Sequence, residues 1–187
     1  MHRKELLQLL SLYKTPHMEE AAMVKRSRQF IMQHANCFDR TLMHGHVTGS
    51  TWVVNPSLTH ALILHHRKLG LWLQPGGHAD GDSDILRVVL KETSEETGVA
   101  LEDIKLLSNE IFDVDIHTVH ENPYDPRHEH FDIRFLVMIN DTIAIPGNDE
   151  SHNLGWVPLD QISRYNNARS IYRMIQKTRQ LSARTST

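Results

Sequence analysis

The sequence has very little cysteine, with Cys37 as its only one in 187 residues. A single cysteine cannot form an internal disulfide, nor can it supply a Cys-x-x-Cys pair for a structural metal site. This usage is typical of a reducing compartment, so we expect a cytoplasmic protein. A chain of this length buries roughly 70% of the surface of its unfolded form, so a core without covalent cross-links is expected.

An excess of charge of either sign is also absent. Lysine and arginine number 20 and aspartate and glutamate 23, which gives a formal net charge of -3. This balance argues against a broad polyanion-binding surface, so a nucleic acid polymer is not an expected partner. No run approaches the roughly 20 apolar residues that a membrane-spanning helix needs, and we expect no membrane association.

Two segments with different patterns follow one another along the chain. Apolar residues recur at helical intervals from Lys4 to about Phe38, with a break at Thr15-Pro16, which predicts two helices. Near residue 45 the pattern changes to short apolar runs and turn residues. We predict a helical extension over residues 1–44 and a main domain over residues 45–187. Periodicity leaves open whether the extension caps a cleft or builds a homodimer.

The main domain is predicted to mix strands and helices. Short apolar runs predict strands at 52–54, 61–65, 71–74 and 156–157, with a turn at 66–70. Alternating residues predict two half-polar strands, 112–116 and 131–139, that pair as a hairpin around a proline-containing loop at 122–126. Helices are predicted over 83–97 and 159–181. The three tryptophans are interpreted as core residues: Trp52, Trp72 and Trp156.

A glycine-rich turn precedes the first of these helices, and three glutamates occupy positions i, i+3 and i+4 near its end: Glu92, Glu95 and Glu96. At ~100° per residue, their carboxylates fall within roughly 100° of one helix face. Ile85 and Val88 project to the same side. We therefore expect the glutamates to continue the buried face instead of forming a solvated acidic surface.

Carboxylates that repel one another at the negative end of a helix need a positive partner. Mg²⁺ or Mn²⁺ is the natural candidate, because these hard cations prefer carboxylate and carbonyl oxygens. Gly76 and Gly77 have no side chains, so their backbone can approach a metal ion and supply carbonyl ligands. Gly98 suits the left-handed position that ends a helix.

These residues resemble the Nudix box, G-x5-E-x7-R-E-U-x-E-E-x-G-U, where U is a bulky aliphatic residue. The matching positions are Gly77, Glu92, Glu95, Glu96, Gly98 and Val99. The departures are Ser83 at the first Glu, Lys91 at the Arg and Thr93 at the first aliphatic position. We expect Asp82 or Asp84, together with Lys91, to replace the missing Glu and Arg.

The resemblance covers about residues 45 to 180 and implies a Nudix-type α/β/α sandwich with a mixed sheet. It also implies Mg²⁺-dependent hydrolysis of a nucleoside diphosphate linked to another moiety. Ser83 and Lys91 motivate an alternative, a catalytically weak nucleotide-binding or regulatory protein with the same fold. A diphosphate isomerase is disfavoured, because the only thiol, Cys37, precedes the main domain.

The resemblance implies roles for individual residues. Glu92, Glu95 and Glu96, with a Gly76 or Gly77 carbonyl, would hold the metal ion. The general base would be Glu92 or Glu150, and spacing does not decide between them. The predicted substrate contacts are His78, His130, Asp132 and Arg134.

Two of these contacts have equally good structural interpretations. Arg134 could clamp phosphate or form a cross-strand salt bridge with Asp113 or Asp115. His78 could contact substrate or form hydrogen bonds within its loop. The 14 histidines also suggest a zinc site from His117, His120, His128 and His130, but we favour a polar strand face beside a phosphate cleft.

Overall fold

The structure, a computed structural model, describes residues 2–67, 70–121, 126–148 and 151–185. The α-helices are α1 Lys4–Leu12, α2 Met18–Gln33, α3 Ile85–Thr97 and α4 Arg169–Thr185. The strands are β1 Gly45–Val54, β2 His60–His66, β3 Leu71–Leu73, β4 Gly76–His78, β5 Lys105–Leu106, β6 Asp113–Val119, β7 His128–Met138 and β8 Ser151–Pro158. The predicted turn at 66–70 and loop at 122–126 fall partly outside the described residues. In the described part of the chain, none of the helices combines the length and apolar character needed to cross a membrane.

The eight strands belong to one mixed sheet. Its order is β3-β2-β1-β7-β5, with β4 paired to β1, β6 to β7 and β8 to β2. The predicted α/β class and the two N-terminal helices are therefore confirmed. The division at residue 44/45 stays a prediction.

The antiparallel pairing of β6 with β7 follows the predicted alternation of polar and apolar residues. On one face Asp113 lies opposite Arg134, and His117 lies opposite His130. On the other face Val114 lies opposite Ile133, and both are fully buried. Because side chains alternate along a strand, this register gathers the polar residues of both strands on a single face.

The chain divides into two compact units, the first formed by Met1–Ser50, Gly77–Val89 and Asn109–Phe135. In this unit α2 is attached to the β6–β7 pair. Phe30 of α2 stacks on Phe131 of β7, with ring centroids 4.0 Å apart. Glu20 is fully buried and accepts a hydrogen bond from the Val114 backbone N–H at 3.1 Å. The helical extension therefore contributes both apolar packing and a buried polar contact to this unit.

The second unit consists of Thr51–Gly76, Leu90–Ser108 and Leu136–Thr187. Its apolar core comprises Val53, Leu62, Val99, Ile104, Val137 and Ile139. Trp52 is fully buried and donates a hydrogen bond from Nε1 to Thr178 of α4 at 2.9 Å, which fixes that helix. Trp52 is thus a core residue as predicted, whereas Trp72 and Trp156 are half-buried.

Some predicted element bounds are wrong. The last helix begins at Arg169 instead of 159, because the side chain of Asn166 accepts the Ala168 backbone N–H and a short 3₁₀ helix, Ile162–Arg164, occupies the preceding segment. The first strand begins at Gly45, well before the predicted 52. Gly76–His78 forms a strand where the glycines predicted only a turn.

Gly98 has a φ of +71°, which confirms its predicted left-handed conformation at the end of α3. An added Cβ would lie 2.5 Å from Cγ of Pro146. We expect Gly98→Ala to lower the free energy of unfolding by ~2–3 kcal/mol, because it combines backbone strain with overpacking. Chemical denaturation measures this change.

Gly81→Ala is the matched control for this prediction. Gly81 also has a positive φ, +85°, but nothing lies within 4 Å of an added Cβ. We expect it to lower the free energy of unfolding by only ~1 kcal/mol, because backbone strain is the only cost. Equal losses in the two variants would contradict the predicted clash with Pro146.

Candidate active site

Helix α3 begins with two aspartates that cap it and bind an arginine. The Asp84 carboxylate accepts the Arg87 backbone N–H at 3.0 Å, as an N-cap residue does. Asp82 accepts Nε of Arg87 at 2.9 Å and Nη2 at 2.6 Å, and this hydrogen bonding lowers the pKa of the Asp82 carboxyl. Arg87 therefore binds both aspartates, whereas Lys91 lies beside Glu92 and Glu95. The replacement of the missing Glu and Arg by Asp82 or Asp84 together with Lys91 stays a prediction.

Glu96 brings the end of α3 into contact with the glycine segment. Its side chain is buried, and its Oε2 accepts the Gly76 backbone N–H at 2.8 Å. The predicted association of an acidic helix end with the Gly76 segment is thus present in the second unit. The hydrogen bond holds a buried carboxylate beside the backbone that was predicted to share a metal ion with it.

The three glutamates differ in their exposure. The Glu92 side chain is 23% exposed, whereas the Glu95 side chain is 55% exposed and lies 3.3 Å from the Lys91 ammonium. The expectation that all three continue the buried face is therefore wrong for Glu95. One residue turns the helix by ~100°, so the neighbour of a buried Glu96 can lie at the solvent boundary.

Thr93, at the first aliphatic position of the Nudix box, is fully buried. Its hydroxyl lies 2.6 Å from the hydroxyl of Thr51 on β1. The hydrogen bond satisfies a polar group where the family pattern has an apolar side chain. This departure is therefore accommodated by a partner on the neighbouring strand.

Arg134 lies in the first unit, where carboxylates surround its guanidinium group. Its Nε is 2.7 Å from Asp132, Nη1 is 3.3 Å from Asp113 and Nη2 is 3.2 Å from Asp115. Burial alone would lower the pKa of Arg134, but the three negative charges raise it above the ordinary value. This arrangement is the salt-bridge alternative, and phosphate contacts by Asp132 and Arg134 stay predictions.

Hydroxyl groups on β1 complete the environment of Asp132. Thr48 Oγ1 donates to one carboxylate oxygen at 3.1 Å, and Ser50 Oγ donates to the other at 2.9 Å. Both hydroxyls are buried. The Asp132 carboxylate is therefore held from two sides and has little freedom to change its position.

His78 and His130 are brought together, and a third ring, His46, joins them. The ring centroids of His46 lie 5.0 Å from His78 and 4.7 Å from His130, and those of His78 and His130 are 5.1 Å apart. Burial, followed by the charges of neighbouring histidines, lowers the pKa of His46 to about 4 and that of His130 to about 2. These two rings are neutral at neutral pH.

His46 was missed by the sequence reasoning, because its partners come from β4 and β7 and no spacing along the chain connects them. The predicted zinc set differs from the observed cluster. His128 does contact His130, with their Nε2 atoms 3.1 Å apart, and His117 faces His130 across the strand pair. His120 is exposed beyond the end of β6.

Glu150 lies outside the described residues, so its role as a general base stays a prediction. Cys37 is buried, and burial raises the pKa of its thiol to about 11. A thiol that is protonated at neutral pH is a poor nucleophile, which further disfavours the isomerase alternative.

Comparisons with known proteins agree with this arrangement of strand, turn and acidic helix. The family model described as NUDIX domain matches residues 46–178. The structure resembles a C. elegans Ap4A hydrolase with a TM-score of 0.60 and 15% identity, covering 73% of this chain and 97% of that one. It resembles a NUDIX-family hydrolase from Clostridium perfringens with a TM-score of 0.53 and 20% identity, covering 73% and 97%.

A third structure, the E. coli dihydroneopterin triphosphate pyrophosphohydrolase, has a TM-score of 0.54 and 11% identity, covering 70% of this chain and 92% of that one. No curated protein matches the sequence significantly. The matched region and the shared fold define a Nudix domain. The chain therefore belongs to the Nudix family, which confirms the resemblance, the Nudix-type fold and the predicted enzyme class.

Proposed function

We propose that the protein hydrolyses the pyrophosphate bond of a nucleoside diphosphate linked to another moiety, with Mg²⁺ or Mn²⁺ as cofactor. The hydrogen bond between Glu96 and the Gly76 backbone carries this proposal, because it holds a buried carboxylate beside the glycine segment. A buried carboxylate is costly unless it is hydrogen-bonded and paired with positive charge. The assigned ligands are the carboxylate oxygens of the glutamates and a glycine carbonyl oxygen, which suit a hard divalent cation.

In the proposed mechanism, Glu92, Glu95 and Glu96 would hold the ion, with a carbonyl of Gly76 or Gly77 as a further ligand. The bound ion would neutralise charge on the diphosphate and lower the pKa of a water molecule. Either Glu92 or Glu150 would accept the proton of the attacking water. The exposed position of Glu95 suits a ligand of an ion that must meet a substrate arriving from solvent.

The predicted substrate contacts divide into two kinds. His78 and His130 are proposed to meet the substrate, since neutral imidazoles can donate to or accept from its polar groups. Asp132 and Arg134 are proposed as the other two contacts, and their ion pair would also order the strand that carries His130. A small nucleotide derivative fits this function, and a cytoplasmic location and homodimer formation stay proposals.

Phosphate and nucleotide release tests the function with the full-length protein and a panel of nucleoside diphosphate derivatives. We expect turnover with Mg²⁺ or Mn²⁺, loss of turnover with EDTA, and recovery when the metal is restored. The panel includes Ap4A and a pterin triphosphate, because two similar structures are an Ap4A hydrolase and a dihydroneopterin triphosphate pyrophosphohydrolase.

The alternative, a nucleotide-binding or regulatory protein, rests on Lys91, whose ammonium lies within 4.0 Å of both Glu92 and Glu95. That cation would compete with a metal ion for the same carboxylates. Metal-independent binding of a panel compound without any turnover would support this alternative and contradict the hydrolase proposal.

A further inference from the structure

We infer that His46, His78 and His130 form a second metal site, which takes a borderline ion such as Zn²⁺ through imidazole nitrogens. One ring nitrogen of each residue lies within 4.8 Å of those of the other two. Zinc bonded at ~2.0–2.1 Å in a tetrahedral site requires nitrogens ~3.3–3.4 Å apart, so small side-chain rotations would close the cluster. This site goes beyond the proposed carboxylate-bound Mg²⁺ and shares no ligand with it, while two of its residues, His78 and His130, are also the proposed substrate contacts.

The surroundings of His46 are the evidence that an ion binds here. Its side chain is only 2% exposed, and among the described residues neither ring nitrogen has a hydrogen-bond partner. A neutral imidazole always carries one N–H donor and one lone pair, and buried groups of this kind are almost always satisfied. A metal ion bound at the lone pair would satisfy the acceptor that the protein leaves without a partner.

The chemistry of the donors selects the class of ion. Three neutral imidazoles suit zinc and its transition-metal neighbours, whereas Mg²⁺ and Ca²⁺ require oxygen ligands. Three histidines with an open fourth position are an established way to bind zinc. His128 provides a hydrogen-bonded neighbour of the kind that orients metal-binding histidines, because its ring contacts both His130 and the Pro126 carbonyl.

Charge on the same strand face also favours a cation. Asp113 and Asp115 on β6 and Asp132 on β7 place three carboxylates around the guanidinium of Arg134. By strand alternation, His130 shares this face with Asp132 and Arg134. These carboxylates would attract a divalent ion to the histidines.

Zinc titration of the metal-free, full-length protein tests the site, with a competing chelator to exclude weak binding by surface histidines. We expect the wild type to bind one ion in this cluster and His46→Phe to bind it at least ~100-fold more weakly. Phenylalanine keeps the ring volume but removes both nitrogens, so the variant should fold with an unchanged or higher melting temperature without metal. His78→Asn provides a second test at a less buried ring.

The visible absorption spectrum of bound Co²⁺ shows whether the histidines are its ligands. We expect the visible bands of nitrogen-ligated Co²⁺ in the wild type and in the control His65→Phe, a half-buried histidine stacked on Trp72 outside the cluster. These bands should be absent from His46→Phe and His78→Asn. Equal zinc affinity in the wild type and both cluster variants would overturn the inference. Because these measurements use no substrate, their failure leaves the hydrolase proposal standing.

Discussion

Glu96→Gln should lower kcat by at least ~100-fold, which corresponds to ~2.7 kcal/mol of transition-state stabilisation. The glutamine oxygen can still accept the Gly76 N–H that Oε2 accepts at 2.8 Å, so the fold should persist. The negative charge that would hold the metal ion is lost. Steady-state kinetics with the best compound of the panel, over a range of Mg²⁺ concentrations, measures the effect.

Glu95→Gln distinguishes a metal ligand from a surface ion pair more clearly than Glu96→Gln does. We expect it to lower kcat by the same factor. A glutamate that is 55% exposed and paired with Lys91 contributes only ~0–1 kcal/mol when it serves as a surface ion pair. A large loss of turnover at an unchanged melting temperature would therefore identify a metal ligand. Glu102→Gln, an exposed glutamate in a short 3₁₀ helix, is the matched control and should keep full activity. Undiminished turnover in Glu95→Gln or Glu96→Gln would refute the role assigned to that residue.

Arg134→Met should lower the free energy of unfolding by ~3–5 kcal/mol at neutral pH. It removes the guanidinium that pairs with Asp113, Asp115 and Asp132, so the attraction that offsets their desolvation and mutual repulsion is lost. Arg134→Lys should lose less, because the ammonium keeps the positive charge. It should still be less stable than the wild type, since one ammonium cannot bond all three carboxylates as the planar guanidinium does. Urea denaturation at fixed pH measures both changes.

The sign of the pH dependence separates this mechanism from a simple loss of packing. Without Arg134, burial should raise the folded-state pKa of Asp113 above its unfolded value of ~3.9, so the native state binds more protons than the unfolded state. Stability of Arg134→Met should then increase as the pH falls from 7 towards 5. A loss that is independent of pH would contradict the charge mechanism.

Arg26→Met is the matched control for Arg134. Arg26 pairs with Glu129 at 2.9 Å, but its side chain is 53% exposed. Screening by solvent limits such pairs to ~0–1 kcal/mol, so the control should lose little stability. Comparable losses in the two variants would show that burial is not what makes the Arg134 cluster important.

The parts of the fold that the sequence predicted well depend on local patterns. Three features depend only on residues that are close together in the sequence. They are the helical periodicity of α3, the end of that helix at Gly98 and the alternation of polar and apolar residues along β6 and β7. The start of α4 was misplaced because helical periodicity continues across Ile162 and the Asn166 cap could not be distinguished from a helical residue.

The surroundings of the site residues were harder to predict, because they depend on segments that are distant in the sequence. Glu95 and Glu96 are adjacent in sequence, yet only Glu96 meets the Gly76 backbone. His46 joins His78 and His130 through the sheet, and no chain spacing encodes that contact. The pairing of Arg134 with Asp113 and Asp115 was one of two open alternatives, since both depend on the register of β6 against β7.

The attachment of α2 through Glu20 and the Phe30–Phe131 stack limits how the protein can be shortened. A version beginning at residue 45 would uncover an aromatic ring on β7 and deprive a strand amide of its acceptor. Such a fragment would tend to self-associate through the uncovered face. Residues 4–33 are therefore part of the folded unit that contains β6 and β7, and they are not a removable tail.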